Sequence, residues 1–330
     1  MSAVPTCEAL ASDALPSYAQ ILDAAARIAQ HAQVTPVLRS AALDALSRAE
    51  LHFKCENLQR GGAFKFRGAC NAVWALSDEQ AARGVVTHSS GNHGNALALA
   101  AGTRGIAAHV VVPEGAVQAK VDEIERAGAT LHRCAPTQAA REAKADEIQR
   151  ATGAVLVHPY ANTQVMAGQG TVALELCRQA PGLDALITPV GGGGLASGVA
   201  IAAHGIDASL SLFGAEPLGA SDAAQSIARG ARVTTFVPNT VCDGLRALIG
   251  ESNLAALNTH DVQIITVSDA ETIAAMQLLW SELRIIVEVS CATVLAAILQ
   301  QPGRFAGRRI GAVLTGGNVD LQALPWSMGK

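Results

Sequence analysis

The chain has 330 residues, 50% of them hydrophobic and only 16% charged, with a net charge of −4. That length and apolar content build one large or two medium globular domains, and without any Lys/Arg run the charge balance excludes nucleic acid and anionic membrane surfaces as partners. No apolar stretch reaches spanning length, and the start of the chain, with Glu8 and Asp13, lacks the basic flank and apolar centre of a signal peptide; a cytoplasmic protein acting on a small molecule is expected.

In chain order, Ser17 caps a first helix, and β-branched runs predict strands at 51–55, 84–88, 107–112, 130–133, 155–157, 185–189, 210–214, 262–267 and 309–314. Ala-rich helical stretches fill most of the gaps, and Ser268 with Glu271 forms a capping box for the helix running toward Trp280. Strands alternating with helices imply parallel strands joined by crossovers, so the class is α/β. No linker or internal repeat divides the chain. The strand signals within 84–157 suffice for a small mobile lobe, leaving 1–83 and 158–330 as a larger domain. Seven cysteines (Cys7, Cys55, Cys70, Cys134, Cys177, Cys242, Cys291) form no Cys-x-x-Cys pair and read as reduced, buried side chains rather than a disulfide framework or a zinc site.

Four segments carry chemistry. Within Gly61–Gly68, Lys65 stands between Phe64 and Phe66. Apolar flanks disfavour the ammonium form, so the amine can be neutral near pH 7 and can form a Schiff base with an aldehyde. The same octapeptide also fits a core segment from which Lys65 snorkels outward.

The strand at 185–189 runs into Gly191, Gly192, Gly193 and Gly194 and then a helical pattern beginning with Leu195. Such a loop turns backbone N–H groups toward an anion, and the helix N-terminus adds its positive dipole end, so a phosphate cradle is expected. Gly191-x-Gly193-x-x-Ala196 fits a dinucleotide fingerprint as well, with Glu216 where a ribose-binding acid belongs, so an NAD-dependent dehydrogenase is the alternative.

After the strand at 84–88 come Ser89, Ser90, Gly91, Asn92, His93 and Gly94, followed by an Ala/Leu-rich helix. The side chains of Ser89, Ser90 and Asn92, with the N–H groups around Gly91 and His93, can hold an amino-acid carboxylate; ordinary capping by the serines and a structural His93 are the alternatives. Near the C-terminus Thr315-Gly316-Gly317-Asn318 again ends a strand, at the edge where α/β proteins place ligands.

These motifs, with Ala-Gly-Gln-Gly-Thr at 167–171, occur in the same order in the serine racemase and serine/threonine dehydratase family, which the chain resembles over nearly its whole length. The resemblance implies a fold-type II pyridoxal-phosphate enzyme, tryptophan synthase β-like, with two open twisted α/β lobes and the cofactor in the cleft between them. It implies that Lys65 forms the Schiff base and Phe64 packs on the ring, that Asn92 bonds the phenolic oxygen, and that Gly191 to Gly194 with Leu195 hold the phosphate. Gly244 joins the cofactor contacts, and Thr315 faces the pyridine nitrogen, a partner that favours elimination over transamination. Ser90 matches the serine that faces the lysine across the cofactor plane in racemases, Arg141 an arginine reaching a second substrate carboxylate, and Glu216, Ala220 and Asp222 a magnesium or calcium loop.

The activity so implied is β-elimination from L-serine, L-threonine or L-threo-3-hydroxyaspartate to a 2-oxo acid and ammonia, with serine or aspartate racemisation as the alternative balance. A homodimer without isoleucine feedback is expected. The chain departs from the family pattern at Ala63, at Ala247 and in Val289-Ser290, where Pro-Thr usually follows the glutamate.

Overall fold

The computed structural model describes residues 14–326, so Cys7, Glu8 and Asp13 lie outside the described residues. All nine predicted strands are present, together with a two-residue strand, Val37–Leu38, that was not expected. A strand of two residues is too short to show any alternation of polar and apolar side chains, and it is held by pairing antiparallel to its neighbour.

Two sheets result. The larger has six strands in the order β1 (Val37–Leu38), β2 (Glu50–Cys55), β10 (Arg309–Leu314), β7 (Ala185–Pro189), β8 (Ser211–Pro217) and β9 (Gln263–Val267), parallel apart from β1. The smaller has four parallel strands in the order β5 (Thr130–Cys134), β4 (Ala108–Pro113), β3 (Val85–Thr87) and β6 (Val155–Leu156). The last strand of the chain therefore lies inside the larger sheet, paired with β2 from Arg309 opposite Glu50 to Leu314 opposite Cys55. That register sets the two strand ends side by side: Phe64 N–H donates to Thr315 O at 3.0 Å, and Ala63 bridges Gly316.

The period-2 geometry of β2 sends its residues to two different environments. Leu51, Phe53 and Cys55 enter an apolar core with residues of the helices Asp269–Leu283 and Val289–Gln300. Lys54 points the other way and is fully buried, donating to Glu175 at 2.6 Å, Thr35 O at 2.7 Å and Gln179 at 2.8 Å. Glu175 also accepts from both terminal nitrogens of Arg67 at 2.8 Å, and Arg67 reaches Glu56 from Nε at 2.7 Å and Nη2 at 2.8 Å. Two cations and two carboxylates thus neutralise one another beneath the helix Lys65–Trp74.

That helix packs Phe66, Ala69, Cys70 and Val73 in one core with Val85 of β3 and Leu97 of the helix Asn92–Arg104. Its other neighbour, the helix Thr163–Gln179, comes so near that a Cβ on Gly168 would lie 2.6 Å from the Gly68 Cα. The Ala-Gly-Gln-Gly-Thr motif is thus a close helix crossing. The expected capping box forms at Ser268 with Glu271, and the expected cap at Ser17 is a full capping box with Gln20. The six described cysteines are free, and no helix among the described residues is long and apolar enough to cross a membrane.

Candidate active site

The expected residues gather at the carboxyl ends of β3, β7 and β10, where parallel sheets present their ligand-binding loops. Lys65 opens its helix half-buried, and its Nζ donates to the Pro159 carbonyl at 2.9 Å and stands 5.1 Å from the Phe64 ring centroid. Burial pulls its ammonium down from the ordinary 10.5 to about 8, opposed by the Glu288 carboxylate. The lysine is not a snorkelling surface group.

Gly191 follows β7, and the loop enters the helix Gly194–Ile206 with Gly193 as its N-cap at φ +91°, a conformation that favours glycine. No side chain caps this helix, so its first-turn N–H groups are offered to an anion. A Cβ on Gly192 would lie 2.4 Å from the Tyr160 ring, and one on Gly191 3.3 Å from the Gly244 carbonyl. Only glycine lets the loop lie this close to both. Gly244 N–H itself donates to Ser290 Oγ at 3.0 Å.

The helix Asn92–Arg104 likewise starts without a side-chain cap, at Gly91, so neither serine is an N-cap. Ser89 Oγ accepts from Gly91 N–H at 3.4 Å, and Ser90 Oγ makes no hydrogen bond among the described residues. A Cβ on Gly91 would meet nothing within 4 Å, so the loop borders open space. Asn92 is held on both sides, with Nδ2 donating to both Glu288 oxygens at 3.1 Å and Oδ1 accepting from Asn318 at 3.0 Å. Glu288 is buried, and burial beside Asp243 raises its carboxyl to about 7 against the bonds from Asn92. Sequence reasoning noted Glu288 only as a departure from a family motif; an acid between two valines was the available signal.

Thr315, 4% exposed, follows β10 beside this cluster. Arg141 lies on the helix Gln138–Thr152, and its Nε is buried with no hydrogen-bond partner. Two aromatic residues that sequence reasoning passed over, His158 and Tyr160, flank the Pro159 carbonyl that accepts from Lys65; their rings meet edge to face at 4.6 Å, and His158 meets the His88 ring at 5.2 Å. Burial pushes the His158 imidazole down to about 3, helped by His88 and Lys65. The only signal of these residues was the polar His158-Pro159-Tyr160 run after a strand.

Glu216 is not in a loop after a strand. It lies within β8, fully buried, with its oxygens accepting from Ala223 N–H at 3.1 Å and Ala224 N–H at 2.9 Å, so it is closed to a ribose. Burial raises its carboxyl to about 8, and that of Asp222 upward as well. Asp222 Oδ2 accepts from Ile249 N–H at 2.7 Å, while its Oδ1 is buried without a partner. Ala220, also buried, ends the intervening turn. Among the described residues no group of three or more His, Cys, Asp or Glu side chains could hold a metal.

The lysine near pH 8, the uncapped glycine cradle and the buried threonine at the β10 end fit pyridoxal phosphate. The Lys65 shift also carries a sign. Between about pH 8 and 10.5 the unfolded chain holds a proton that the native amine has released, so the stability of the cofactor-free protein rises with pH across that window. Urea titrations over this range should show the rise in wild type and a flatter profile in Lys65→Met; identical profiles would place the native amine at its ordinary value.

Comparison with known proteins covers nearly the whole chain. The family model "Pyridoxal-phosphate dependent enzyme" matches residues 28–316. The β-hydroxyaspartate dehydratase of Paracoccus denitrificans is 46% identical over 313 residues, covering 95% of this chain and 99% of that one. The serine racemase of Arabidopsis thaliana is 47% identical over 309 residues, covering 92% and 93%. Among solved structures, maize serine racemase superposes with a TM-score of 0.92 at 43% identity, covering 95% of this chain and 97% of that one. With its lysine, glycine cradle and two mostly parallel sheets in this arrangement, the chain belongs to the pyridoxal-phosphate dependent enzymes, in their fold-type II class beside the serine racemases and hydroxy-amino-acid dehydratases.

Proposed function

We propose that the enzyme catalyses β-elimination from a hydroxy amino acid, 3-hydroxyaspartate foremost, to a 2-oxo acid and ammonia. Arg141 carries this choice: it is half-buried, makes no ion pair or side-chain hydrogen bond among the described residues, and keeps its Nε unpartnered. A buried guanidinium N–H without a partner is costly unless a ligand supplies an acceptor such as a carboxylate. The likeness to the Paracoccus β-hydroxyaspartate dehydratase points the same way.

Pyridoxal phosphate, when bound, supplies the electron sink that makes the substrate's α-proton acidic. The protein's own groups do the rest. Gly191 to Gly194 and Leu195 would hold the phosphate with backbone N–H groups, Phe64 packs beside the lysine, and the uncharged Thr315 hydroxyl would partner the ring nitrogen. Gly244 and Asn92 would contact the cofactor, and the start of the helix Asn92–Arg104, with Ser89, Gly91 and the His93 N–H, would bind the α-carboxylate. Lys65, whose amine is neutral in a large share of molecules near pH 8, takes the α-proton. We assign 84–157 to the smaller lobe, since its strands form a sheet of their own.

Arg141→Leu should lower kcat/KM for 3-hydroxyaspartate by about 10- to 100-fold, the worth of hydrogen bonds to a charged group, and spare L-serine. Equal losses on both substrates in a steady-state assay would remove Arg141 from substrate recognition.

A second reading rests on Ser90, whose hydroxyl is free of any hydrogen bond among the described residues at the edge of the open site. As a second acid–base group opposite Lys65 it gives racemisation. Ser90→Ala should then cut racemisation of serine about 100-fold, a usual weight of one general acid, while elimination from the L-enantiomer persists. Parallel loss of both activities, followed by chiral chromatography and oxo-acid detection, would contradict the two-base arrangement.

We further propose a divalent magnesium or calcium ion bound by Glu216, Asp222 and the Ala220 carbonyl, supported by the unpartnered Asp222 Oδ1 and the two buried carboxylates. A chelator should lower the thermal midpoint of wild type by at least roughly 2 °C and leave Asp222→Asn unmoved. A wild-type midpoint indifferent to chelator would refute the site.

A further inference from the structure

One buried acid stands among the residues expected to meet the cofactor, yet takes no part in binding substrate or moving its proton. Glu288 is 5% exposed, at the N-cap of the helix Val289–Gln300, and donates its N–H to the Gly316 carbonyl at 2.9 Å. A Cβ on Gly316 would lie 2.6 Å from Glu288 Oε1, and one on Gly244 3.9 Å from it, so the carboxyl lies against both glycines. Both of its oxygens accept from Asn92 Nδ2 at 3.1 Å, and it makes no ion pair among the described residues.

The hydrogen bonds that reach it run in one direction. Asn318 Nδ2 donates to the Gly61 carbonyl at 2.8 Å, and a backbone carbonyl can only accept, so the Asn318 amide has one orientation. The same nitrogen donates to Asn92 Oδ1 at 3.0 Å, which turns Asn92 Nδ2 to Glu288. The chain of bonds therefore ends on a group that must accept, and an ionised carboxylate with both oxygens on one nitrogen meets that need. An amide nitrogen carries two hydrogens; a single carboxylate occupies one side of it and leaves the other hydrogen for a ligand. A protonated Glu288 instead sets an O–H donor against the same nitrogen. Burial, with Asp243 beside it, raises the carboxyl to about 7, while Asn92, Lys120 and Lys65 act to lower it. Lys120 and Asp243 are themselves an ion pair, and burial keeps Cys291, on the helix that Glu288 caps, a neutral thiol.

We propose that Glu288 is a positioning residue: ionised, it fixes the Asn92 amide so that the second Nδ2 hydrogen is donated to the cofactor, and protonated, it releases that amide. This rests on the cofactor reading above and adds the group that sets the cofactor's hydrogen bonding through Asn92.

The test uses the holoenzyme and its cofactor absorbance, whose bands respond to hydrogen bonds at the ring. In wild type the ratio of those bands should change with a midpoint near pH 7. Glu288→Gln, whose amide does not titrate, should hold one ratio across that range. It should also bind pyridoxal phosphate about tenfold more weakly by fluorescence titration, the worth of a hydrogen bond to a charged group. Asn92→Ala keeps the acid but removes the amide it acts through, so it should lose the transition as well, and it decides the matter should Glu288→Gln fail to fold. A transition that persists in folded Glu288→Gln overturns the proposal; so does one that persists in Asn92→Ala, since Glu288 would then act without Asn92. Normal cofactor binding with a wild-type ratio constant across the range overturns this proposal alone, whereas wild type that binds no pyridoxal phosphate overturns the cofactor reading and the proposal with it.

Discussion

The active site depends on the buried cluster of Lys54, Glu56, Arg67 and Glu175. Arg67 lies two residues beyond Lys65 on the same helix, and its guanidinium is clamped between a carboxylate from the turn after β2 and one from the helix Thr163–Gln179. Exchanging such a cluster for apolar side chains is often neutral in stability, whereas removing one partner strands the rest and costs about 3–5 kcal/mol. Its contribution is position. Bidentate geometry fixes the rotation of the helix about its axis, and with it the direction in which Lys65 leaves the backbone. The close crossing at Gly68 and Gly168 fixes its height.

Around that fixed amine, burial pushes Lys65, His158 and Glu288 each toward its neutral form. Lys65 falls to about 8, His158 falls to about 3, and Glu288 rises to about 7. Arg141 keeps its Nε buried and unpartnered among the described residues. Glu288 accepts from Asn92 and donates its N–H to the Gly316 carbonyl, so the start of the helix Asn92–Arg104 is tied to the segment that follows β10 in the larger sheet.

Much of this was legible in the chain itself. The long β-branched runs declared their strands, and four consecutive glycines marked a loop, entering a helix, in which no side chain crowds the backbone. What stayed hidden depends on contacts across the fold. Val37–Leu38 carries no periodic signal, and Glu216 looked like a loop residue because β8 continues through the small and charged Gly214-Ala215-Glu216. Lys54 and Arg67 lie far from Glu175 in sequence, so their neutralisation cannot be seen without the helix crossing.

The central claim is that Lys65 is the amine that holds the cofactor. Borohydride reduction of purified holoenzyme, followed by proteolysis and mass analysis of the peptides, tests it directly. The account predicts a single pyridoxyl adduct on the peptide carrying Lys65; an adduct on Lys54, Lys120 or Lys144 with Lys65 unmodified, or no adduct at all, would contradict it.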